Sequence, residues 1–236
     1  MMKKIITAKF ANLFLIAIIS VFTFTMFNGC DENNPLNPTV TSRLQLTHAS
    51  PDAPNIDVYI GSSKIASNLA YLSTLSYTSI TGDAVSRIIV NAANSSTILI
   101  DTAVYFLRDR SFSVFVFDSL QKIQPLILTD SSSSPGSINA SLRFINLSPN
   151  SPSLDVGAVS KIQPWFPFYS FPKASPYRPI VGGIYTVYAN LAGTSTTLVT
   201  VPDVNLPARG IFTIIANGYV GGTGAKAFGF TLIPNN

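Results

Sequence analysis

Leu44-Gln45-Leu46-Thr47-His48-Ala49-Ser50-Pro51-Asp52-Ala53-Pro54-Asn55-Ile56-Asp57-Val58 returns 98 residues later as Leu142-Arg143-Phe144-Ile145-Asn146-Leu147-Ser148-Pro149-Asn150-Ser151-Pro152-Ser153-Leu154-Asp155-Val156. Both copies carry Ser-Pro-x-x-Pro-x-(Ile/Leu)-Asp-Val, and self-similarity at one offset marks a duplicated structural unit. Further along, Ser63-Lys64-Ile65 answers Ser160-Lys161-Ile162, Tyr77 answers Tyr177, Gly82 answers Gly182, and the run after Arg110 answers the run after Arg209. Between the copies, Asp130-Ser131-Ser132-Ser133-Ser134-Pro135-Gly136-Ser137 has linker composition.

Apolar alternation bounded by turn residues recurs through each half. In the first it falls at 43–48, 55–60, 86–91, 97–101, 112–117 and 123–128, and no window sustains a helical period. Glu occurs once in the chain, at Glu32, so helix formers are scarce. About seven short strands in a unit of this length predict an all-β fold of two tandem immunoglobulin-like β-sandwich domains. The expected organisation is a signal peptide over 1–29, a lipidated cysteine and flexible tether over 30–42, a first sandwich over 43–130, a linker over 131–141 and a second sandwich over 142–236.

The proline segment stops the first strand of each copy, because proline fixes φ and removes an N–H donor. Ser50 and Asp52, with Ser148 in the second copy, are expected to cap the turn's own backbone N–H groups. Asp57 and Asp155 sit in strands between apolar neighbours, and each carboxylate is predicted to accept N–H bonds from the nearby proline loop. His48 to Tyr59, Ala66-Ser67-Asn68-Leu69-Ala70-Tyr71, Tyr77, and Phe112 to Phe117 followed by Ile123 to Thr129 together resemble the bacterial domain-of-unknown-function family 4397. The second half is similar but has drifted: His48, Asp52 and Tyr59 become Asn146, Asn150 and Gly157. The resemblance implies an exported β-sandwich module, often in tandem and often on lipoproteins, and it implies no catalytic residues.

Met1-Met2-Lys3-Lys4 followed by an apolar run from Leu13 to Phe27 reads as a secretory leader. It ends in Phe27-Asn28-Gly29-Cys30, which resembles a bacterial lipobox and implies cleavage between Gly29 and Cys30 with a diacylglyceryl group on the Cys30 thiol. An ordinary secretory signal cut elsewhere and an uncleaved apolar anchor are the alternatives. Against both, the only cysteine of the chain stands where the apolar run stops. Stable anchoring needs more than one acyl chain, and a diacylated cysteine supplies two. The expected location is the bacterial cell envelope, at the outer membrane, and Asp31-Glu32 directly after the cysteine resembles a signal for surface display.

Without Lys3, Lys4 and Lys9 of the leader, twelve basic residues stand against eleven acidic ones. That balance gives no electrostatic footprint for nucleic acid. One cysteine permits no intramolecular disulfide. His48, Ser50 and Asp52 have the residue types of a hydrolase triad but lie at i, i+2 and i+4 on one strand and turn, whereas a working triad draws its members from separate elements. Neither a metal-ligand spacing nor a phosphate-binding loop occurs, and no cofactor is expected. The remaining feature is the aromatic segment 165–177, where Phe168, Tyr169 and Tyr177 align with Tyr71, Leu72 and Tyr77 and are expected in the core. Trp165, Phe166 and Phe171 are then the surplus aromatics available to a ligand or partner surface. The sequence therefore points to a non-enzymatic envelope lipoprotein serving adhesion, scaffolding or protein interaction, with a carbohydrate-binding module using segment 165–177 as the alternative.

Overall fold

The computed structural model describes residues 40–130 and 135–235. The leader, Gly29, Cys30 and most of the expected tether lie outside the described residues. The first repeat forms eight strands: β1 (Thr41–His48), β2 (Ile56–Ile60), β3 (Ser63–Leu69), β4 (Thr74–Thr81), β5 (Ala84–Ala92), β6 (Ile98–Phe106), β7 (Ser111–Phe117) and β8 (Gln124–Thr129). They make two sheets, ordered β4-β1-β7-β8 and β3-β2-β5-β6, in which only the β1–β7 pair is parallel. Leu44, Leu46, Ile56, Val58, Ile88, Val90, Phe106 and Val114 fill the space between them. The alternation at 43–48 and 112–117 thus marks the central strands β1 and β7. The edge strands β3 and β4 escape the sequence pattern because Ser, Thr, Lys and Asn fill most of their positions and leave few apolar residues to alternate. Four strands face four, so the likeness to an immunoglobulin domain lies in the sandwich architecture and not in the strand order.

The second repeat builds β9 (Asn139–Asn146), β10 (Leu154–Ala158), β11 (Phe166–Tyr169), β12 (Lys173–Ala174), β13 (Arg178–Val181), β14 (Gly183–Leu191), β15 (Thr197–Leu206), β16 (Ile211–Asn217) and β17 (Gly229–Pro234). Its sheets repeat the order, as β12/β13-β9-β16-β17 and β11-β10-β14-β15. The counterpart of β4 is broken in two around Ser175-Pro176-Tyr177. Ser175 spans the break by accepting the Phe144 N–H on its hydroxyl at 2.9 Å and donating its own N–H to the Phe144 carbonyl at 2.8 Å. Strand β1 starts at Thr41 and β9 at Asn139, two and three residues inside the segments that composition assigns to tether and linker.

Both faces of β1, β7, β9 and β16 are buried, although alternation alone leaves one face of each to solvent. The second covering is the other sandwich. Ala49, Phe115 and Phe117 pack with Ile145, Leu147, Ile215 and Ile233, and Phe171 meets Phe117 edge-on at 5.8 Å. Beside this apolar contact lies a polar network with an approximate two-fold correspondence. Gln45, Ser113, Asp130 and Tyr77 of the first sandwich occupy the register positions of Arg143, Thr213, Asn235 and Tyr177 in the second. Arg143 Nη2 donates to Asp130 Oδ1 at 2.8 Å, and the corresponding pair on the other side is Asn235 Nδ2 donating to Gln45 Oε1 at 2.9 Å. Tyr77 donates to Asp130 at 2.6 Å, Ser113 donates to it at 2.9 Å, and Arg143 lies over the Tyr177 ring at 4.6 Å. Burial, and then the Asp130 carboxylate, push the Tyr77 hydroxyl well above its ordinary pKa.

Strand starts meet strand starts across this interface, through Asp130 and Asn235, which hydrogen-bond to Ser111 and Ile211 at the beginnings of β7 and β16. Strand ends meet strand ends, through Phe117 and Phe171. The two sandwiches therefore stand side by side with their corresponding poles on the same side.

Candidate functional site

The residues that resemble a triad are spent on the backbone. His48 Nδ1 accepts the Ser50 N–H at 3.4 Å, which leaves Nε2 as the protonated nitrogen donating to the Pro54 carbonyl at 3.0 Å. Ser50 Oγ donates to the carbonyl of Asp118 at 2.6 Å, and Asp52 accepts the Leu120 N–H at 2.8 Å. Ser50 and Asp52 thus do not cap their own turn as the sequence suggests. They tie the loop after β1 to the loop after β7, a contact between chain segments far apart in sequence. The second repeat does the same, with Ser148 Oγ donating to Gly218 O at 2.7 Å and Asn150 exchanging bonds with both backbone groups of Val220. Asn146 stands in for His48 and accepts the Ser148 N–H at 3.2 Å.

Burial holds the His48 imidazole below its ordinary pKa of 6.5, partly offset by the bond to Pro54. Protonation would also set an Nδ1–H against the Ser50 N–H. Because the folded value is the lower one, the unfolded chain takes up the proton first as pH falls. Stability from neutral His48 is complete above 6.5 and is lost as pH drops through 6.5 toward the lowered folded value. Thermal unfolding followed from about pH 7.5 to about pH 5 should show a falling midpoint. His48→Asn, which installs the residue of the other repeat, should flatten that fall, and an unchanged slope would remove His48 as its origin.

Asp57 and Asp155 do accept backbone N–H bonds, but not from the proline loop. Asp57 takes the Asn68 N–H at 2.8 Å and the Lys64 ammonium at 2.8 Å, and Lys64 and then Asn68 hold its carboxyl below the ordinary range. Asp155 takes the N–H groups of Phe168 and Gly193, each at 2.8 Å. Asn68 and Phe168 both have positive φ, 52° and 59°, and mark a bulge where the edge strand slips register against β2 or β10. Each aspartate therefore fixes a bulge. Phe168 is the counterpart of Asn68 and not of Tyr71, as the sequence alignment has it.

That shift of three residues inverts the reading of the aromatic segment. Phe168, expected in the core, is 62% exposed, whereas Trp165 and Phe166, expected to be free, are only 6% and 3% exposed and belong to the core of the second sandwich. Trp165 meets Tyr185 edge-on at 5.1 Å, and Phe166 stacks on Phe144 at 5.8 Å. Phe171 packs between the sandwiches, Tyr169 lies partly buried against the core, and Tyr177 belongs to the polar network. None of the three surplus aromatics is presented as a free stacking platform.

The broken edge strand nevertheless opens a cleft of about 370 Å³ between β11 and β12/β13. Edges of Trp165, Phe166 and Tyr169 line it, with Pro176, Arg178 and Pro179. Arg178 donates to the Trp165 carbonyl and lies over the Phe166 ring at 5.7 Å, and among the described residues no carboxylate pairs with it. A guanidinium has five N–H donors, more than the Trp165 carbonyl can take up. Sequence reasoning missed Arg178 because nothing in its local pattern separates it from an ordinary surface arginine. Among the described residues no group of three or more His, Cys, Asp or Glu side chains could hold a metal ion.

Residues 42–157 match the model of a family described as a domain of unknown function, DUF4397; the match runs from β1 through the first sandwich and on into β10. No curated protein matches the chain. Among solved structures, the crystal structure of CBMbc (family CBM26) from Eubacterium rectale Amy13K in complex with maltoheptaose is similar at 11% identity, over 82% of this chain and 97% of that chain, with a TM-score of 0.26.

Proposed function

We propose that this DUF4397-like chain is a non-enzymatic binding module of the bacterial cell envelope, held there by a lipid on Cys30 and presenting a rigid twin sandwich for adhesion, scaffolding or protein interaction. The observation that carries the non-enzymatic part is the use made of His48, Ser50 and Asp52. Their hydrogen-bonding atoms serve backbone groups, which leaves no hydroxyl aligned with the imidazole as a nucleophile needs. Location rests on the leader and Cys30, with the outer membrane as the expected site and Asp31-Glu32 favouring its outer surface.

The test of the anchor is Cys30→Ser followed by cell fractionation. The wild-type chain should sediment with membranes and the variant should move to the soluble fraction. Retention of the variant in the membrane would point to an uncleaved apolar helix.

One observation favours a second reading, a carbohydrate-binding module. The cleft at the edge of the second sandwich combines aromatic edges, prolines and an unpaired guanidinium in a volume suited to a small ligand. Here Arg178 is the residue to vary, because Trp165 is part of the core.

A further inference from the structure

We infer that the pole at which β1, β7, β9 and β16 begin is a surface that lies against a lipid bilayer. Two sets of turns form it. In the first sandwich Val40 accepts the Gly82 N–H at 2.9 Å, Thr41 accepts the Asp109 N–H at 2.9 Å, and Asp83 holds Arg108. In the second, Ile138 accepts the Gly182 N–H at 2.8 Å and Asn139 accepts the Arg209 N–H at 2.7 Å. Both approaches need glycine: a Cβ on Gly82 would come within 2.9 Å of the Arg108 backbone, and one on Gly182 within 2.7 Å of Ala208 N. The sandwiches share their polar direction, so the two sets form one end of the body.

That end carries Val85, Tyr105, Leu107, Ile138, Val181 and Ile184, each 54–68% exposed. Val85 and Tyr105 are a cross-strand pair, and the others lie in or beside the turns. Single exposed apolar side chains are ordinary on a soluble protein, but six gathered at one pole are a patch. At the opposite pole the loops 92–97 and 192–196 are Ala-Ala-Asn-Ser-Ser-Thr and Ala-Gly-Thr-Ser-Thr, and the exposed apolar side chains there, Ile98, Leu120, Phe168 and Leu191, are fewer and 36–62% exposed. The patch is rimmed by Arg108, Arg110 and Arg209 with Asp83 and Asp109, and Arg110 and Arg209 form no ion pair among the described residues. Aliphatic side chains, a tyrosine and arginines at one level are the composition of a lipid–water interface, where tyrosine sits at headgroup depth and arginine reaches phosphate.

The position of the chain's entry selects lipid over other occupants. The polypeptide joins the body at Val40, inside the patch, ten residues after Cys30. Ten residues span at most about 35 Å, so a lipid on Cys30 keeps the body within that distance of the bilayer. Apolar contact then adds to anchoring by a chain that is already present, in the way two weak membrane signals combine. This inference rests on the lipid-anchor reading, and its test separates the two.

The lipidated full chain is reconstituted into vesicles of phosphatidylethanolamine and phosphatidylglycerol that contain lipids brominated along the acyl chain. A thioether at Cys30 leaves no thiol, so a fluorophore attaches only to a cysteine introduced by Leu107→Cys, Ile184→Cys or, at the opposite pole, Leu120→Cys. Probes at 107 and 184 should lose fluorescence to the bromolipid while the probe at 120 keeps it. Equal quenching at all three positions, or quenching at 120 alone, overturns the inference. If the chain without an introduced cysteine takes the label, Cys30 is a free thiol and the anchor reading has failed. The same three variants on a Cys30→Ser background, added to the same vesicles, then decide the pole: quenching at 107 and 184 supports it and no quenching anywhere overturns it.

Discussion

Asp130→Ala should lower the free energy of unfolding by about 3–5 kcal/mol, the cost of leaving a buried charge without its partner. The Asp130 and Arg143 side chains are 1% and 3% exposed, and Asp130 accepts from Tyr77, Ser113 and Arg143 together. Removing the carboxylate strands a guanidinium and a phenol in the seam between the sandwiches. The corresponding place across the approximate two-fold shows what the seam accepts instead, since Gln45 and Asn235 there form a neutral amide pair in the same register. The double variant Asp130→Asn with Arg143→Gln should therefore recover much of the loss, because replacing both members of a buried ion pair by matched neutral groups is often tolerated. Denaturant unfolding of the single and double variants gives the comparison. A loss below about 1 kcal/mol for Asp130→Ala would mean that the pair behaves like a solvent-exposed bridge and that the seam admits water.

Trp165→Ala should cost about 3–5 kcal/mol, as truncation of a large buried aromatic does, whereas Phe168→Ala should stay within about 0.5 kcal/mol. Their order is the reverse of the order in which the sequence ranks them for exposure. Trp165 packs on Tyr185 and within the core of the second sandwich, while Phe168 is turned outward by the positive φ of the bulge that Asp155 holds. Thermal unfolding of the two variants measures the difference, and similar midpoints would place Trp165 outside the core. The outcome also decides how ligand experiments are designed. Loss of glycan binding in Trp165→Ala would be confounded by unfolding, whereas Arg178 is exposed and lines the cleft without belonging to the core. Binding that survives Arg178→Ala unchanged would remove the cleft as the ligand seat.

The repeat beginning at Leu44 and Leu142 was enough to establish a duplicated all-β unit, because alternation of apolar side chains is the local requirement of a strand with one face on a core. It also located the proline loops and the aspartates Asp57 and Asp155, which recur with their strands. What each polar side chain bonds to was not legible. Ser50 reaches Asp118 and Asp57 reaches Asn68 through contacts made by the fold. The aromatic segment misled because a bulge shifts the correspondence by three residues without altering the apparent strand pattern.

Gln45, Ser113, Arg143 and Thr213 read in sequence as the solvent face of their strands, and in isolation each sandwich would leave them there. By itself the sequence determined two β-rich units and their order along the chain. Only the tertiary structure decided that the outer sheets of the two sandwiches close on each other, that Asp130 meets Arg143 between them, and that both entry turns share one pole. The reason is physical: strand patterning depends on neighbours two residues apart, while burial of a polar face depends on a partner surface that no local period encodes.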